Sequence, residues 1–427
     1  MFVKPAKCLK GEITLPGDKS ISHRALILSS IAYGKSVIKG LQKGKDCLST
    51  LNSLKLMGVE IEEREDEVII WGKGHCGLKE PVDVLNCGNS GTTIRLLSGL
   101  IAGQNFYSVL SGDKYLRERP MKRVTEPLRR MGSSIFGREK GQFPPLTIVG
   151  KKLKGIDYFS PIPSAQIKSC LLLAGLNSEG KTIIREPYLS RDHTERMLKF
   201  LGAKIKVNHL TVSLKGRSQF SARDIIIPGD ISAASFFIGG ATILKDSKIK
   251  VLNVGLNPTR RGFIDTLTKM GADIRIINLK RVCEEEVGDL EVRGENELKG
   301  ITIKGAMIPR LIDEIPILAV VSCFAQGETI IKDAQELRVK ETDRIKAIVK
   351  ELRKMGANIE EKDDGMIIEG GKGLKGGECR SYGDHRMAMT LAVAGLASEE
   401  GVKISDTECI ATSFPNFWEI LNYVADY

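Results

Sequence analysis

The 427-residue chain is 42% apolar and 27% charged, a composition that excludes a disordered protein and a length that suggests two cores. No apolar run nears the roughly 20 residues that cross a bilayer, and nine scattered cysteines without a Cys-x-x-Cys pair exclude a zinc ribbon or disulfide scaffold and fit reduced thiols in a cytoplasm. The net charge of +11 comes with only 5% aromatic residues and interleaved Lys and Glu, so it reads as a solvated surface able to draw small anions to a cleft.

The N-terminus, Met1-Phe2-Val3-Lys4-Pro5, lacks the apolar segment of a secretory signal. Chemistry first gathers at Leu15 to Arg24, Leu-Pro-Gly-Asp-Lys-Ser-Ile-Ser-His-Arg, before an apolar helical run from Ala25 to Ala32. Pro16 and Gly17 predict a turn, and Ser20 or Ser22 is expected to cap the helix. Lys19, Arg24 and the free helical N–H groups then converge as in an anion site. The turn returns as Ile227-Pro-Gly-Asp230 without the Lys and Arg; one copy reads as chemical, the other as structural.

Further along, a helix ending in hydrophobic-Gly and running into an alternating strand recurs. Its copies are Leu54–Ile61, Leu128–Ile135, Leu198–Ile205, Leu267–Ile274 and Leu352–Ile359. Gly at the helix C′ position can take the left-handed backbone. The spacing of roughly 70–85 residues exceeds solenoid periods and marks compact folding units. A small-residue helix followed by a turn and a strand alternates with them, at His23–Gly40, Ser90–Gly112, Ser164–Pro187, Ser232–Asn253, Asp313–Asp333 and Asp384–Asp406. The sixth partner is expected from the C-terminal helix Pro415–Tyr427, packed beside the N-terminal strand. The two Pro-Gly-Asp turns read as crossovers. They bound a three-repeat domain over 17–229 and a second over 1–16 plus 230–427, with small-residue helices inside and sheets outside.

Gly72-Lys-Gly74-His-Cys-Gly77 and Gly371-Lys-Gly373-Leu-Lys-Gly376 mimic a dinucleotide fingerprint, but no helix begins after either. Gly150 to Gly155 and Gly294 to Gly300 occupy the same place in other repeats, so all four read as strand-to-strand turns. No nucleotide cofactor is expected. No Asp/His/Cys cluster has metal-ligand spacing, so no metal is expected either.

Polar residues crowd the starts of the small-residue helices: Lys19, Ser20 and Arg24; Asn89, Ser90, Gly91, Thr92 and Arg95; Ser164 and Gln166; Asp230 and Ser232; Asp313 and Glu314; Asp384, His385 and Arg386. Capping accounts for Asp230, Ser232 and Ser90. It does not account for Lys19, Arg24 or Arg386, since a cation at a positive helix end is disfavoured without an anion. Arg119 lies in a charged turn, Leu116-Arg-Glu-Arg-Pro120. Glu336–Met355 is expected to be one helix with a buried stripe of Ile345, Ile348, Val349, Leu352 and Met355. Lys340, Glu341 and Arg344 would share another of its faces. Beside a cationic cleft, Glu341 is a candidate proton-transfer group.

The chain resembles the 5-enolpyruvylshikimate-3-phosphate synthase (3-phosphoshikimate 1-carboxyvinyltransferase) family, nearer its second bacterial branch. The motifs are Leu15-Pro-Gly-Asp-Lys-Ser-Ile-Ser-His-Arg24, Gly88-Asn-Ser-Gly-Thr92, Arg119-Pro-Met121, Ser164-Ala-Gln166, Arg338-Val-Lys-Glu-Thr-Asp-Arg344 and Asp384-His-Arg-Met-Ala-Met389. They run in the family's order over nearly the whole chain. The resemblance implies an α/β enolpyruvyl transferase fold of two domains, each an inside-out barrel of three βαβαββ-like repeats. It implies a cytoplasmic, monomeric enzyme of aromatic amino-acid biosynthesis that needs no cofactor or metal and binds neither nucleic acid nor membrane.

The implied reaction moves the enolpyruvyl group of phosphoenolpyruvate onto the 5-hydroxyl of shikimate 3-phosphate and releases phosphate. Asp313 is implied to face the 5-hydroxyl, Glu341 to be the proton donor, and Lys19 to lie between the substrates. Arg119, Arg344 and Arg386 would clamp phosphoenolpyruvate, with Gly91 and Gln166 at its edge. Ser20, Arg24, Ser164, Ala165, Gln166, Arg191 and Lys340 would hold shikimate 3-phosphate. Because the cations come from both halves, an open-to-closed movement on binding anions is expected.

The late segment Cys409-Ile-Ala-Thr412-Ser-Phe-Pro415 carries Thr412 where many members have a lysine, Ala165 follows Ser164 where some have a second serine, and Glu336 stands where many have Asn. Gly91 lacks the methyl of some herbicide-tolerant members, which predicts inhibition by glyphosate. His385 is expected to orient Arg386 or cap its helix, and His23 and His193 to be structural. The related UDP-N-acetylglucosamine enolpyruvyl transferase carries a reactive cysteine in the loop corresponding to Ser111–Pro120, where this chain has none. A basic scaffold binding nucleic acid without catalysis is the competing non-enzyme reading, and strongly salt-dependent binding would mark it.

Overall fold

Twelve helices of eight residues or more alternate between two kinds along the chain. The computed structural model describes residues 1–427, and its odd-numbered helices are rich in small and apolar residues. They are α1 (Lys19–Ser30), α3 (Gly91–Ala102), α5 (Ala165–Leu176), α7 (Ile231–Ile243), α9 (Ile315–Phe324) and α11 (His385–Leu396). Every residue of α11 is buried, as a helix apolar all round requires. The even-numbered helices are α2 (Lys45–Leu56), α4 (Lys122–Arg130), α6 (His193–Phe200), α8 (Gly262–Met270), α10 (Arg344–Lys354) and α12 (Phe417–Val424). Five of them are followed by Gly58, Gly132, Gly202, Gly271 or Gly356, each with positive φ, where a side chain would be strained.

The chain divides into two units, each with its own apolar core. The inserted unit is Gly17–Ile227 together with Val282–Glu285, and the terminal unit is Met1–Pro16, Pro228–Arg281 and Glu286–Tyr427. Grouping of the hairpin tip Val282–Glu285 with the inserted unit has no signal in the sequence pattern. Ile27, Leu97 and Leu171 lie in the first core, and Phe237, Val320 and Ala392 in the second.

The inserted unit holds three four-stranded sheets, each with one parallel pairing and two antiparallel ones, and a short parallel pair of Leu153–Lys154 with Ser178–Glu179. Leu85–Asn86 pairs parallel with Tyr107–Ser111, which pairs antiparallel with Phe143–Val149, and Ser134–Gly137 completes the sheet. With α3 and α4 between its strands, this repeat reads βαβαββ in chain order. Each of the four glycine-rich patterns starts at or just past the end of a strand, and no helix begins within it.

The terminal unit repeats the pattern twice and completes its third copy from the chain ends. Gly377–Arg380 pairs parallel with Val402–Ser405, which pairs antiparallel with Phe2–Val3. The expected C-terminal helix is shorter than 415–427, since Ala425–Asp426 turns into a strand pairing with Cys8–Leu9. Phe417 of α12 packs 5.9 Å from the Phe237 ring and 6.2 Å from that of Phe236, an aromatic contact worth about 0.5–1.5 kcal/mol beyond its burial.

Three expectations are corrected. Asp18, not Ser20 or Ser22, caps α1, its Oδ1 accepting from Ile21 N at 2.8 Å; Ser22 Oγ instead accepts from Gln42 N at 3.1 Å. The helix expected over 336–355 is broken. A 3-10 turn, Gln335–Val339, precedes extended backbone at Lys340, and α10 starts only after Asp343, whose Oδ1 accepts from Lys346 N at 3.0 Å. Lys340 and Glu341 therefore sit on a loop, freed from helical spacing by that cap. The third concerns α11, capped by Asp384 and not by His385.

Gly17 marks the first crossover. A Cβ on it would stand 1.8 Å from the Gly40 carbonyl oxygen, so only glycine permits the approach.

Candidate active site

Within the inserted unit, Lys19 opens α1 and its Nζ lies 3.1 Å from Asp46 Oδ2 on α2. That carboxylate offsets the cost of a cation at a positive helix end. Arg24, one turn on and buried, donates from Nη1 to the Ser20 carbonyl at 2.8 Å. Its Nε reaches Thr194 Oγ1 and its Nη2 reaches Ser169 Oγ, each at 2.7 Å. Arg191 Nη1 reaches Ser20 Oγ at 3.4 Å. The structure thus gathers Lys19, Ser20, Arg24 and Arg191 at one place.

Ser164 caps α5, with Oγ accepting from Ile167 N at 3.4 Å, and Ala165 and Gln166 form the first turn. Gln166 is held at both ends of its amide. Oε1 accepts from Arg95 Nη1 at 2.6 Å, and Nε2 donates to Thr92 Oγ1 at 3.1 Å. Arg95 Nη2 also donates to the Pro120 carbonyl at 3.1 Å, while Arg119 Nη1 donates to the Asn89 carbonyl at 3.2 Å. Gly91 is where these groups meet: a Cβ there would lie 2.8 Å from Nη1 of both Arg119 and Arg95. Its missing side chain lets two guanidinium groups stand at the start of α3.

In the terminal unit, Asp313 is ringed by cations. Its Oδ1 lies 3.5 Å from Lys340 Nζ and 3.3 Å from Arg344 Nη1, and its Oδ2 lies 3.8 Å from Arg386 Nη2. Arg386 Nη1 donates to the Asp313 carbonyl at 3.2 Å and lies 3.7 Å from Glu314 Oε1. Glu341 Oε2 accepts from Arg344 Nη2 at 2.7 Å. Burial opposes the charge on Arg344, but Asp384, Glu341 and Asp313 more than offset it and raise its pKa. Asp313, Lys340, Glu341, Arg344 and Arg386 are therefore one cluster, built from the loop before α9, the loop before α10 and the first turn of α11.

A family model for EPSP synthase (3-phosphoshikimate 1-carboxyvinyltransferase) matches residues 3–421. The 3-phosphoshikimate 1-carboxyvinyltransferase of Geotalea uraniireducens is 52% identical over 422 residues, 99% of this chain and 98% of that one. The chain belongs to the EPSP synthase family. The 3-phosphoshikimate 1-carboxyvinyltransferase of Alkaliphilus metalliredigens is 53% identical over 97% of each chain. An EPSP synthase structure from Acinetobacter baumannii superposes with a TM-score of 0.88 at 43% identity, covering 99% of this chain and 97% of that one. The enolpyruvyl transferase NikO from Streptomyces tendae shares the fold, with a TM-score of 0.79 at 18% identity over 99% and 97% of the two chains. No helix is long and apolar enough to cross a membrane.

As an EPSP synthase family member the chain shows three partners that motif reading passed over. Asp46 had no cue beyond its place in a helix. Arg95 was visible only as one polar residue among several. Arg260 lies in none of the motifs, yet it is buried and its Nη2 donates to Ser232 Oγ at 2.7 Å. Ser232 bonds Glu314 in turn, so the chain of contacts reaches Arg386. Thr412, in place of the family's frequent lysine, ends a 3-10 turn, Thr407–Thr412. His23 sits against Thr50 Oγ1 at 2.7 Å, and His193 against Glu285 Oε1 at 2.8 Å.

Proposed function

We propose that the chain transfers the enolpyruvyl group of phosphoenolpyruvate to the 5-hydroxyl of shikimate 3-phosphate, with the two clusters above as its machinery. The observation that carries this assignment of residues is Asp313 inside a ring of Lys340, Arg344 and Arg386, with the Glu341 carboxylate on the same Arg344. A carboxylate pair among cations suits two proton transfers on anionic substrates.

Ser20, Arg24, Ser164, Ala165, Gln166, Arg191 and Lys340 hold shikimate 3-phosphate in this reading. Lys19, Gly91, Arg119, Gln166, Arg344 and Arg386 serve phosphoenolpyruvate. Asp313 takes the proton of the 5-hydroxyl as its oxygen bonds to the central carbon of phosphoenolpyruvate. Glu341 delivers a proton to the methylene carbon, which becomes a methyl group. In the second half the methyl group returns a proton to the Glu341 carboxylate, the bond from carbon to the phosphate oxygen breaks with its electron pair leaving on phosphate, and the enol ether forms. Lys19 and the arginines oppose the charge on the departing phosphate, the kind of electrostatic stabilisation that dominates many such steps. Gly91, with hydrogen for a side chain, leaves room for glyphosate beside Arg119. The domain limits follow the same reading, 17–229 and 1–16 plus 230–427. A cytoplasmic location suits nine scattered cysteines with no Cys-x-x-Cys pair.

Phosphate release from phosphoenolpyruvate, measured with and without shikimate 3-phosphate, tests the reading. Release only when shikimate 3-phosphate is present supports it. Release that requires UDP-N-acetylglucosamine instead, or none with either acceptor, overturns it.

A further inference from the structure

The inserted unit buries an ionic triad that the chemistry above does not use. Lys168 lies on α5 one turn past Ser164, and its backbone N donates to the Ser164 carbonyl at 3.0 Å. Its Nζ stands 2.7 Å from Glu186 Oε2, 2.8 Å from Glu195 Oε1 and 3.4 Å from the Ser190 carbonyl. The three side chains are 1%, 2% and 3% exposed. Ser190 Oγ also bonds Glu186 Oε1.

Such a triad is a poor way to gain stability. Desolvating charges costs several kcal/mol each, and well-packed apolar replacements are often as stable. What ionic geometry supplies is a fixed arrangement of the segments that carry it. Here those segments are α5, the stretch leaving the strand Lys181–Arg185, and α6. The segment Ser190-Arg-Asp-His-Thr194 joins the last two, its His193 and Thr194 opening α6. Lys168 grips that segment from behind through Ser190 and Glu195. Ser169, the next residue on α5, meets it from the front through Thr194 Oγ1 at 2.7 Å, where Arg24 also bonds.

We propose that Lys168, Glu186 and Glu195 are positioning residues, a buried clamp that fixes the 190–194 segment so that Arg191 stands ready for the phosphate of shikimate 3-phosphate. The proposal rests on the assignment of Ser20, Arg24 and Arg191 to that substrate. Two carboxylates share one ammonium, and the partners differ. Burial disfavours the charge on Lys168, yet Glu195 and Glu186 outweigh it and raise the lysine pKa. Burial raises the pKa of Glu195, with Lys168 opposing.

Glu195→Gln, Lys168→Met and Arg191→Ala, with the double variant Glu195→Gln/Arg191→Ala, test the proposal in full-length enzyme by steady-state phosphate release. The clamp predicts that Glu195→Gln raises the KM for shikimate 3-phosphate about tenfold while kcat and the KM for phosphoenolpyruvate change less than about threefold. It also predicts that Glu195→Gln adds little once Arg191 is alanine, because both act through one contact. Glu195→Gln keeps the shape of the side chain, so it reports even where Lys168→Met does not fold. If Arg191→Ala raises that KM and Glu195→Gln leaves it unchanged, the clamp is wrong while the site stands. If the two effects simply multiply, the clamp is equally wrong. If neither variant moves that KM, the phosphate site itself is misplaced, and the clamp falls with it.

Discussion

Arg344 and Asp384 meet through two bonds, Nε to Oδ2 at 2.7 Å and Nη2 to Oδ1 at 3.2 Å, with both side chains essentially sealed from water. Asp384 also caps α11, its Oδ1 accepting from Arg386 N at 2.9 Å. One carboxylate therefore sets an arginine of the α10 start and the backbone carrying a second arginine. Asp384→Ala leaves a buried guanidinium without its main partner, a change expected to cost about 3–5 kcal/mol. Urea unfolding at neutral pH reads it, and a loss below about 1 kcal/mol contradicts the pairing.

Glu341 bonds the same guanidinium but faces a different task. Glu341→Gln retains an oxygen for Arg344 Nη2 while removing the transferable proton. The expected outcome is a fall in kcat of about 10²–10⁴-fold with both KM values little changed. A fall of less than about tenfold would remove Glu341 from the role of proton donor.

Gly91→Ala brings a methyl group 2.8 Å from Nη1 of Arg119 and of Arg95. Both are the far ends of long side chains, so they move and the helix survives. We expect a higher KM for phosphoenolpyruvate, a higher inhibitory concentration of glyphosate, and a melting temperature shifted by no more than a few degrees. An alanine protein as sensitive as the parent excludes Gly91 from the site.

His23 supplies a pH dependence of known sign. Burial, then the charges of Lys19 and Arg24, hold its pKa well below the usual 6.5. The unfolded chain therefore binds the extra proton first as pH falls, so stability is full above about 6.5 and is lost below it. His75 shares this sign through its own burial and stays in place in the variant. His23→Asn, whose amide can still meet Thr50, is expected to flatten part of the drop in urea midpoint between about pH 7 and 5.5. An unchanged slope contradicts a neutral buried imidazole.

Much of the architecture was present in local pattern. A glycine after an apolar helix end demands a left-handed backbone wherever the chain lies, so five repeats could be counted from sequence. Alternation of small-residue and amphipathic helices likewise follows from which residues tolerate complete burial. Lys19, Arg24 and Arg386 stood out because a cation at a helix N-terminus needs an anion, which is a local electrostatic fact. What the sequence could not decide was competition among partners. Asp18 takes the cap from Ser20 and Ser22, and Asp343 starts α10 later than the helix expected from Glu336, which releases Lys340 and Glu341 into a loop. Asp46, Arg95 and Arg260 acquire roles only because folding brings distant segments within about 3 Å, the range over which hydrogen bonds act. Periodicity reports a residue's own helix or strand; which charge meets which is settled only when the elements pack.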